Sequence, residues 1–185
     1  NNATVDARDC VGRTALHKAS EIGHLEGASL SLKYENAVDA RDSEGQTPLH
    51  IASSNDVASL LLEHHASVDA RDYDQCTPLH KASSKGHVDV VALLLEHNAD
   101  VNARDRSQRT PFFLALMHGH RTVADLLLKN NATVDARDCV GRTALHKASE
   151  IGHLEGASLS LKYENAVDAR DSEGQTPLHI ASSND

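Results

Sequence analysis

The 185-residue chain has no tryptophan and only two phenylalanines, three tyrosines and one methionine. A core short of large side chains has to be assembled from Leu, Val, Ile and Ala, which suits thin packed layers better than one bulky interior. Cysteine is equally scarce. Cys10, Cys76 and Cys139 stand far apart with no CxxC spacing, which fits a reducing compartment better than a disulfide framework. No apolar run approaches the ~18 residues of a membrane span, and the opening Asn-Asn-Ala-Thr-Val-Asp has neither a basic nor an apolar leader segment. The expectation is an intracellular, cytoplasmic protein with no membrane partner. Positive charge is in deficit, 18 Lys+Arg against 27 Asp+Glu for a net charge of -9. That balance repels phosphates and argues against nucleic acid as a partner.

What the chain has in abundance is self-similarity. Val-(Asp/Asn)-Ala-Arg-Asp recurs at Val5, Val38, Val68, Val101, Val134 and Val167, at steps of 33, 30, 33, 33 and 33 residues. Four variable residues follow each tract, and then Thr-(Pro/Ala)-(Leu/Phe)-(His/Phe), as in Thr14-Ala15-Leu16-His17 and Thr77-Pro78-Leu79-His80. Thr is placed as a helix N-cap, and Pro after it sits where a missing N–H is harmless. In the third unit the pattern predicts a helix over residues 78–84 that buries Leu79 and Ala82 and stops at Gly86. A second helix is predicted over residues 88–97, apolar around most of its circumference and therefore covered on both sides. Second helices should end at Asn36, His65, Asn98, Asn131 and Asn165 in a left-handed cap, with an extended tract leading to the next tip. Such units bury their apolar faces only by stacking.

Thr-Pro-Leu-His-x-Ala, Gly-His, Leu-Leu-Leu and Ala-Asp-Val-Asn-Ala-Arg-Asp closely resemble the ankyrin repeat family along essentially the whole chain. The resemblance implies an all-α solenoid of stacked helix pairs with β-hairpin fingers, used to bind other proteins. The repeats fall at about 5–37, 38–67, 68–100, 101–133, 134–166 and 167–185, the last partial and none of them an obvious capping repeat. Repeat two lacks three residues where its neighbours carry Gly-His-Val, so Asn55-Asp56 is expected to turn directly into its second helix. Repeat one has Gly27 and Ser31 where repeat three has Val90 and Leu94, and repeat four has Phe112-Phe113 for Leu-His. Residues 1–56 are identical to 130–185. With both ends cut inside a repeat, head-to-tail self-association through uncapped faces is a further expectation.

Thirteen histidines invite a metal or acid–base reading. Nine fall in two fixed registers, after Thr-x-Leu and after Gly, so they are expected to bond the cap threonine or the turn backbone. The repeated Asp-Ala-Arg-Asp reads as a solvated ion-pair ladder between fingers, and the three thiols as exposed. No phosphate loop, nucleophile elbow or paired-acid constellation breaks the repeat, so no catalysis and no cofactor or metal is expected.

The resemblance places partner contacts at the fingertips and on the exposed side of the first helices. Carried over position by position, these are Arg13, Lys18, Glu44, Gln46, Tyr73, Asp74, Lys81, Lys85, Arg106, Arg109, Leu114, Met117 and His118, with Cys10, Val11, Glu21 and Ile22 beside them. Tyr73, Lys81, Lys85, Arg106, Arg109 and Met117 form the expected hot region, rich in the residue types of interface centres. Its positive charge suggests an acidic segment on the partner. Asn102, alone among Asp6, Asp39, Asp69, Asp135 and Asp168, resembles the position at which ankyrin proteins are hydroxylated. The function expected is therefore a non-catalytic protein–protein interaction scaffold. The alternatives are an engineered or structural spacer without a native ligand and an accessory array of a larger, enzymatic protein. Amide hydrogen exchange is expected to be faster in repeats one and two than in three and four, and uniform protection along residues 1–130 refutes that expectation.

Overall fold

The structure is a computed structural model that describes residues 7–34, 37–164 and 166–182. Eleven helices and no strands are found among them. They fall into two compact units, one of residues Asn1–Ala82 with His87–Asp100 and one of Ser83–Gly86 with Val101–Asp185. In the first unit, α1 (Ala15–Ile22) packs on α2 (Leu25–Tyr34) and on α3 (Pro48–Ile51), while α2 packs on α4 (Asn55–Glu63) and α4 on a helix over Val88–Glu96. That helix is α6, and α5 (Pro78–Lys85) precedes it. In the second unit, α7 (Pro111–Met117) packs on α8 (Arg121–Lys129) and α9 (Ala144–Glu150). There α10 (Leu154–Glu164) packs on α7 and α9, and α11 (Pro177–Ala181) on α9. First helices thus pack on first helices inside each unit, and in the first unit second helices pack on second helices.

Helix limits follow the local chemistry. Thr14 and Thr110 are extended N-caps whose hydroxyls accept the N–H of His17 and Phe113. Gly86 at φ +75° stops α5 as expected, and His65, Asn98 and Asn131 take the left-handed cap at φ 61–65°. Asn36 and Asn165, predicted for the same role, lie outside the described residues. Leu79 and Ala82 are buried, as the spacing requires.

The structure corrects the extended tract and gives the detail of the fingers and of repeat two. The tract after each second helix is a tight turn, with the Ala40 N–H donating to Ala37 O and the Ala70 N–H to Ser67 O. The described fingers are single turns closed by bonds such as Gly12 N–H to Asp9 O, and one backbone bond links each to the next within a unit, as from Ser43 N–H to Val11 O. In repeat two the three-residue deletion shortens the first helix as well as the turn. α3 is only four residues long, and Ser54 becomes the N-cap that receives the Val57 N–H.

The verbatim duplication lets identical sequence report on different neighbours. Leu30, with no described repeat before it, is 59% exposed, whereas its copy Leu159, behind repeat four, is 7% exposed. Leu49, followed by repeat three, is 1% exposed, and its copy Leu178 is 75% exposed. Burying one leucine contributes about 1.5–3 kcal/mol, so each repeat's stability resides largely in its neighbours.

Gly156 shows why that sequence tolerates a helical glycine. A Cβ there would lie 2.4 Å from Met117 O and 3.0 Å from Leu116 O, so the α10 backbone can meet the end of α7 only without a side chain. The identical Gly27 would meet only the His24 and Ala19 side chains. Gly156→Ala is therefore expected to cost about 1–3 kcal/mol in chemical denaturation, from overpacking against rigid backbone. Gly27→Ala should stay within about 1 kcal/mol of neutral, because the helix gains in propensity what a displaced imidazole loses. Equal costs at the two positions would contradict this assignment.

Candidate partner-binding surface

Each finger is organised by an aspartate. In the second repeat, Asp42 Oδ1 accepts the N–H groups of Glu44 and Gln46, each at 2.9 Å. Asp72 holds Asp74 and Cys76 in the same way, and Asp138 holds Val140 and Arg142. The side chains of Asp42, Asp72, Asp105 and Asp138 are at most 4% exposed, so these carboxylates need a cation close by. The cation comes from a different place in different repeats. Arg13 of the preceding repeat reaches Asp42 at 3.6 Å, Lys81 reaches Asp72 at 2.8 Å, and the fingertip Arg109 and Arg142 reach Asp105 and Asp138 at 2.8 and 3.0 Å. Burial alone would lower the Lys81 pKa, but the hydrogen bond and charge of Asp72 outweigh it and hold the ammonium above its ordinary value.

The arginine of Asp-Ala-Arg-Asp does something else. Arg8 donates to Gly12 O and Arg41 O, Arg41 to Gly45 O and Arg71 O, and Arg137 to Gly141 O and Arg170 O. The motif is therefore not the solvated ion-pair ladder read from the sequence. Its arginines clamp backbone carbonyls of neighbouring fingers while its second aspartates turn inward. The first acidic position also links repeats. Asp39 accepts the Ser67 N–H and Asp69 the Asp100 N–H, and Asn102 Oδ1 accepts the Thr133 N–H at 2.8 Å while its amide donates to Asn131 O at 3.2 Å.

Against this frame the expected contact residues separate. Lys18, Glu44, Tyr73, Asp74, Lys85 and Arg106 are exposed. Arg13, Lys81 and Arg109 are half-buried on the aspartates just described, and Arg13 also meets Glu21 at 2.9 Å. Lys18 shares Glu21 at 3.3 Å and Asp9 at 3.8 Å. Gln46, Leu114 and Met117 are corrected to buried positions, 7%, 5% and 7% exposed, because the first-helix side that carries the two apolar residues is packed rather than open. His118 is half-buried with its ring 6.2 Å from that of His120, and burial followed by the charges of His120, His153 and Arg109 lowers its pKa. Lys81 and Tyr73 lie in the first unit, and Lys85, Arg106, Arg109 and Met117 in the second. Cys76 is buried, against expectation, while Cys10 and Cys139 are exposed.

Tyr73 has the most defined setting of the exposed set. Its ring lies against Gly45, where a Cβ would come within 2.7 Å of it, and its N–H donates to Glu44 O. Fingertips close through a left-handed residue at Gly12, Gly45, Gly141 and Gly174, and repeats three and four place Gln75 and Gln108 there, at φ 61° and 65°. A non-glycine residue in that region costs about 1–2 kcal/mol. These two glutamines were invisible as special positions until the backbone showed them.

The histidines serve the stack. The Thr14, Thr47, Thr77 and Thr143 N–H groups donate to Nδ1 of His17, His50, His80 and His146. Nδ1 is thus the bare nitrogen, and Nε2–H of His17, His50 and His146 donates to Gln46 O, Cys76 O and Gln175 O of the next repeat at 3.0, 3.0 and 3.2 Å. In the second register, His24 and His153 accept the Gly27 and Gly156 N–H groups, and His120 meets Ser84 O. Among the described residues no group of three or more His, Cys, Asp or Glu side chains is arranged to hold a metal ion, and no helix is long and apolar enough to cross a membrane.

A sequence-family model of ankyrin repeats (3 copies) matches residues 1–72, 69–138 and 131–185. No curated protein matches the chain.

Burial lowers the pKa of His17 and His50. A histidine whose folded pKa lies below its unfolded value stabilises fully above pH ~6.5 and loses that contribution as pH falls, because the unfolded chain takes up the proton first. The thermal midpoint is therefore expected to fall between pH 7.5 and 5.5, above the range in which carboxylates titrate. A flat midpoint across that window would falsify the assignment.

Proposed function

The chain belongs to the ankyrin repeat family, and on that premise we propose that it is a non-catalytic scaffold that holds another protein against its fingertips and the exposed parts of its first helices. Ankyrin repeats are in general protein–protein interaction modules. The observation that carries the finer reading is Tyr73, an aromatic 58% exposed at a fingertip, laid on Gly45 and tied through its own N–H to the preceding finger. A rigidly presented tyrosine offers a large contact area at little cost in conformational entropy. Asp74, next to it in sequence, and Glu44, whose carbonyl accepts its N–H, are exposed, and in the second unit Lys85 and Arg106 are exposed. Among the described residues no carboxylate is paired with the exposed Lys85, which supports an acidic stretch on the partner facing that unit.

The verbatim repetition of 56 residues favours a second reading, a spacer with no native ligand. Affinity capture separates the two. The scaffold reading expects a specific partner whose recovery falls at least tenfold, about 1.4 kcal/mol, with Tyr73→Ala or with Arg106→Glu, at unchanged thermal stability. Recovery of nothing that responds to either substitution supports the spacer.

A further inference from the structure

Gly27, Leu30, Ser31 and Tyr34 are spaced i, i+3, i+4 and i+7, so they form one stripe along α2. Their copies Gly156, Leu159, Ser160 and Tyr163 form the same stripe on α10, where the second unit supplies the face that receives it. That face belongs to repeat four. Gly156 leaves room for the carbonyls of Leu116 and Met117. The Tyr163 ring meets the Phe112 ring edge-on, with centroids 6.3 Å apart, and its hydroxyl donates to Asp125 Oδ1. The fingers of the same two repeats are joined by the Cys139 N–H, which donates to Ser107 O at 2.8 Å. Leu159 and Ser160 are buried there, and Tyr163 is half-buried.

In the first copy the same stripe is open among the described residues. Leu30 is 59% and Tyr34 62% exposed, and the atoms nearest to a Cβ on Gly27 belong to the His24 and Ala19 side chains of its own repeat. The sequence gives no reason for the difference, since residues 1–56 and 130–185 are identical. What differs is the presence of repeat four. The α2 stripe therefore offers a glycine gap for two helix-end carbonyls, a ring for Phe112 and a hydroxyl for Asp125, and the duplication itself identifies the occupant.

We propose that repeat one of one molecule docks on repeat four of a second copy of this chain and displaces that copy's own repeat five, in a segment exchange. Repeat four has one such face, and the chain carries two identical segments that fit it. Exchange replaces a contact by an identical contact, so it sacrifices no buried surface and its balance is set by competition. Repeat five has the advantage of being joined directly to repeat four, which corresponds to an effective concentration of about millimolar. The monomer therefore prevails at micromolar concentration, and exchange grows as the protein approaches millimolar. The contact is heterologous, and each displaced repeat five presents the stripe again, so the products form an open series rather than a closed pair. The inference is independent of the scaffold reading.

Sedimentation velocity tests the exchange on the full chain, refolded from denaturant at about 10 µM and at about 500 µM. Monomer is expected at the lower concentration and a series of oligomers at the higher. The duplicated glycines give variants of opposite sign. Gly156→Ala obstructs only the contact within a molecule and should raise the association constant at least about tenfold. Gly27→Ala obstructs only the contact between molecules and should lower it by a similar factor. With both substitutions the effects cancel and the parent constant returns, which general loosening of repeat five would not produce. Tyr163→Phe and Tyr34→Phe remove a hydroxyl each and leave the packing intact, so they guard against a misfolded glycine variant, and they should shift the constant about fivefold up and down. Leu178→Lys, at the opposite exposed end, should change nothing. Oligomers that respond to Leu178→Lys and not to Gly27→Ala come from another contact and overturn the proposal. So does a monomer at both concentrations in the parent, Gly156→Ala and Tyr163→Phe alike.

Discussion

The contact on which the rest depends is the buried imidazole that caps a helix with one nitrogen and reaches the next repeat with the other. His17 Nδ1 receives the Thr14 N–H at 3.2 Å, and its Nε2–H donates to Gln46 O at 3.0 Å. One side chain thus satisfies an orphan donor at a helix start and an orphan acceptor in the following finger, both of which would be costly to leave unpaired in a buried layer. Because the first bond is intra-repeat and the second inter-repeat, a repeat cannot shift against the next without stranding the imidazole's buried Nε2–H and the facing carbonyl. Repeat four shows the alternative. Phe113 fills the position, 1% exposed, and Thr110 still caps the helix, but the apolar ring cannot donate to a neighbouring carbonyl.

The fingers obey a second accounting. A buried aspartate accepts the N–H groups of its own turn and then requires a cation. Arg13, Lys81, Arg109 and Arg142 answer that requirement from three different sequence positions. This substitution of one cation for another explains why fingertip positions vary so much without loss of the turn, and it draws Arg13, Lys81 and Arg109 away from the set of freely available contacts. Variation at a fingertip is thus partly compensation within the fold. The exposed remainder, Tyr73, Asp74, Glu44, Lys85 and Arg106 among them, is the part of the predicted contact set that lies open to solvent.

The shortened second repeat links the fold to the surface at the turns. Removing three residues leaves α3 with a single turn of helix and withdraws the Gly-His that elsewhere shields the preceding glycine. The backbone absorbs the loss locally, with Ser53 N–H donating to Ser20 O and Ser54 starting the next helix. Ile22 and Leu25 beside that junction are exposed, and their copies Ile151 and Leu154 are exposed as well.

The sequence by itself determined the repeat, the helix pairs, the threonine caps, the left-handed caps at His65, Asn98 and Asn131, and the family, because each is written in short-range spacing and in residues with strong backbone preferences. The histidines' structural role was legible for the same reason, since a fixed register implies a fixed local partner. Tertiary structure decided what spacing cannot express. Which aspartate is buried, and which of several cations neutralises it, depends on distances between residues four to twenty-nine positions apart. Leu114, Met117 and Gln46 look like exposed variable positions in a linear pattern and prove buried, because burial is set by the neighbouring repeat as well as by the residue's own helix. The duplicated leucines make that reason explicit: Leu49 and Leu178 share all their local sequence and differ in burial only through what stacks against them.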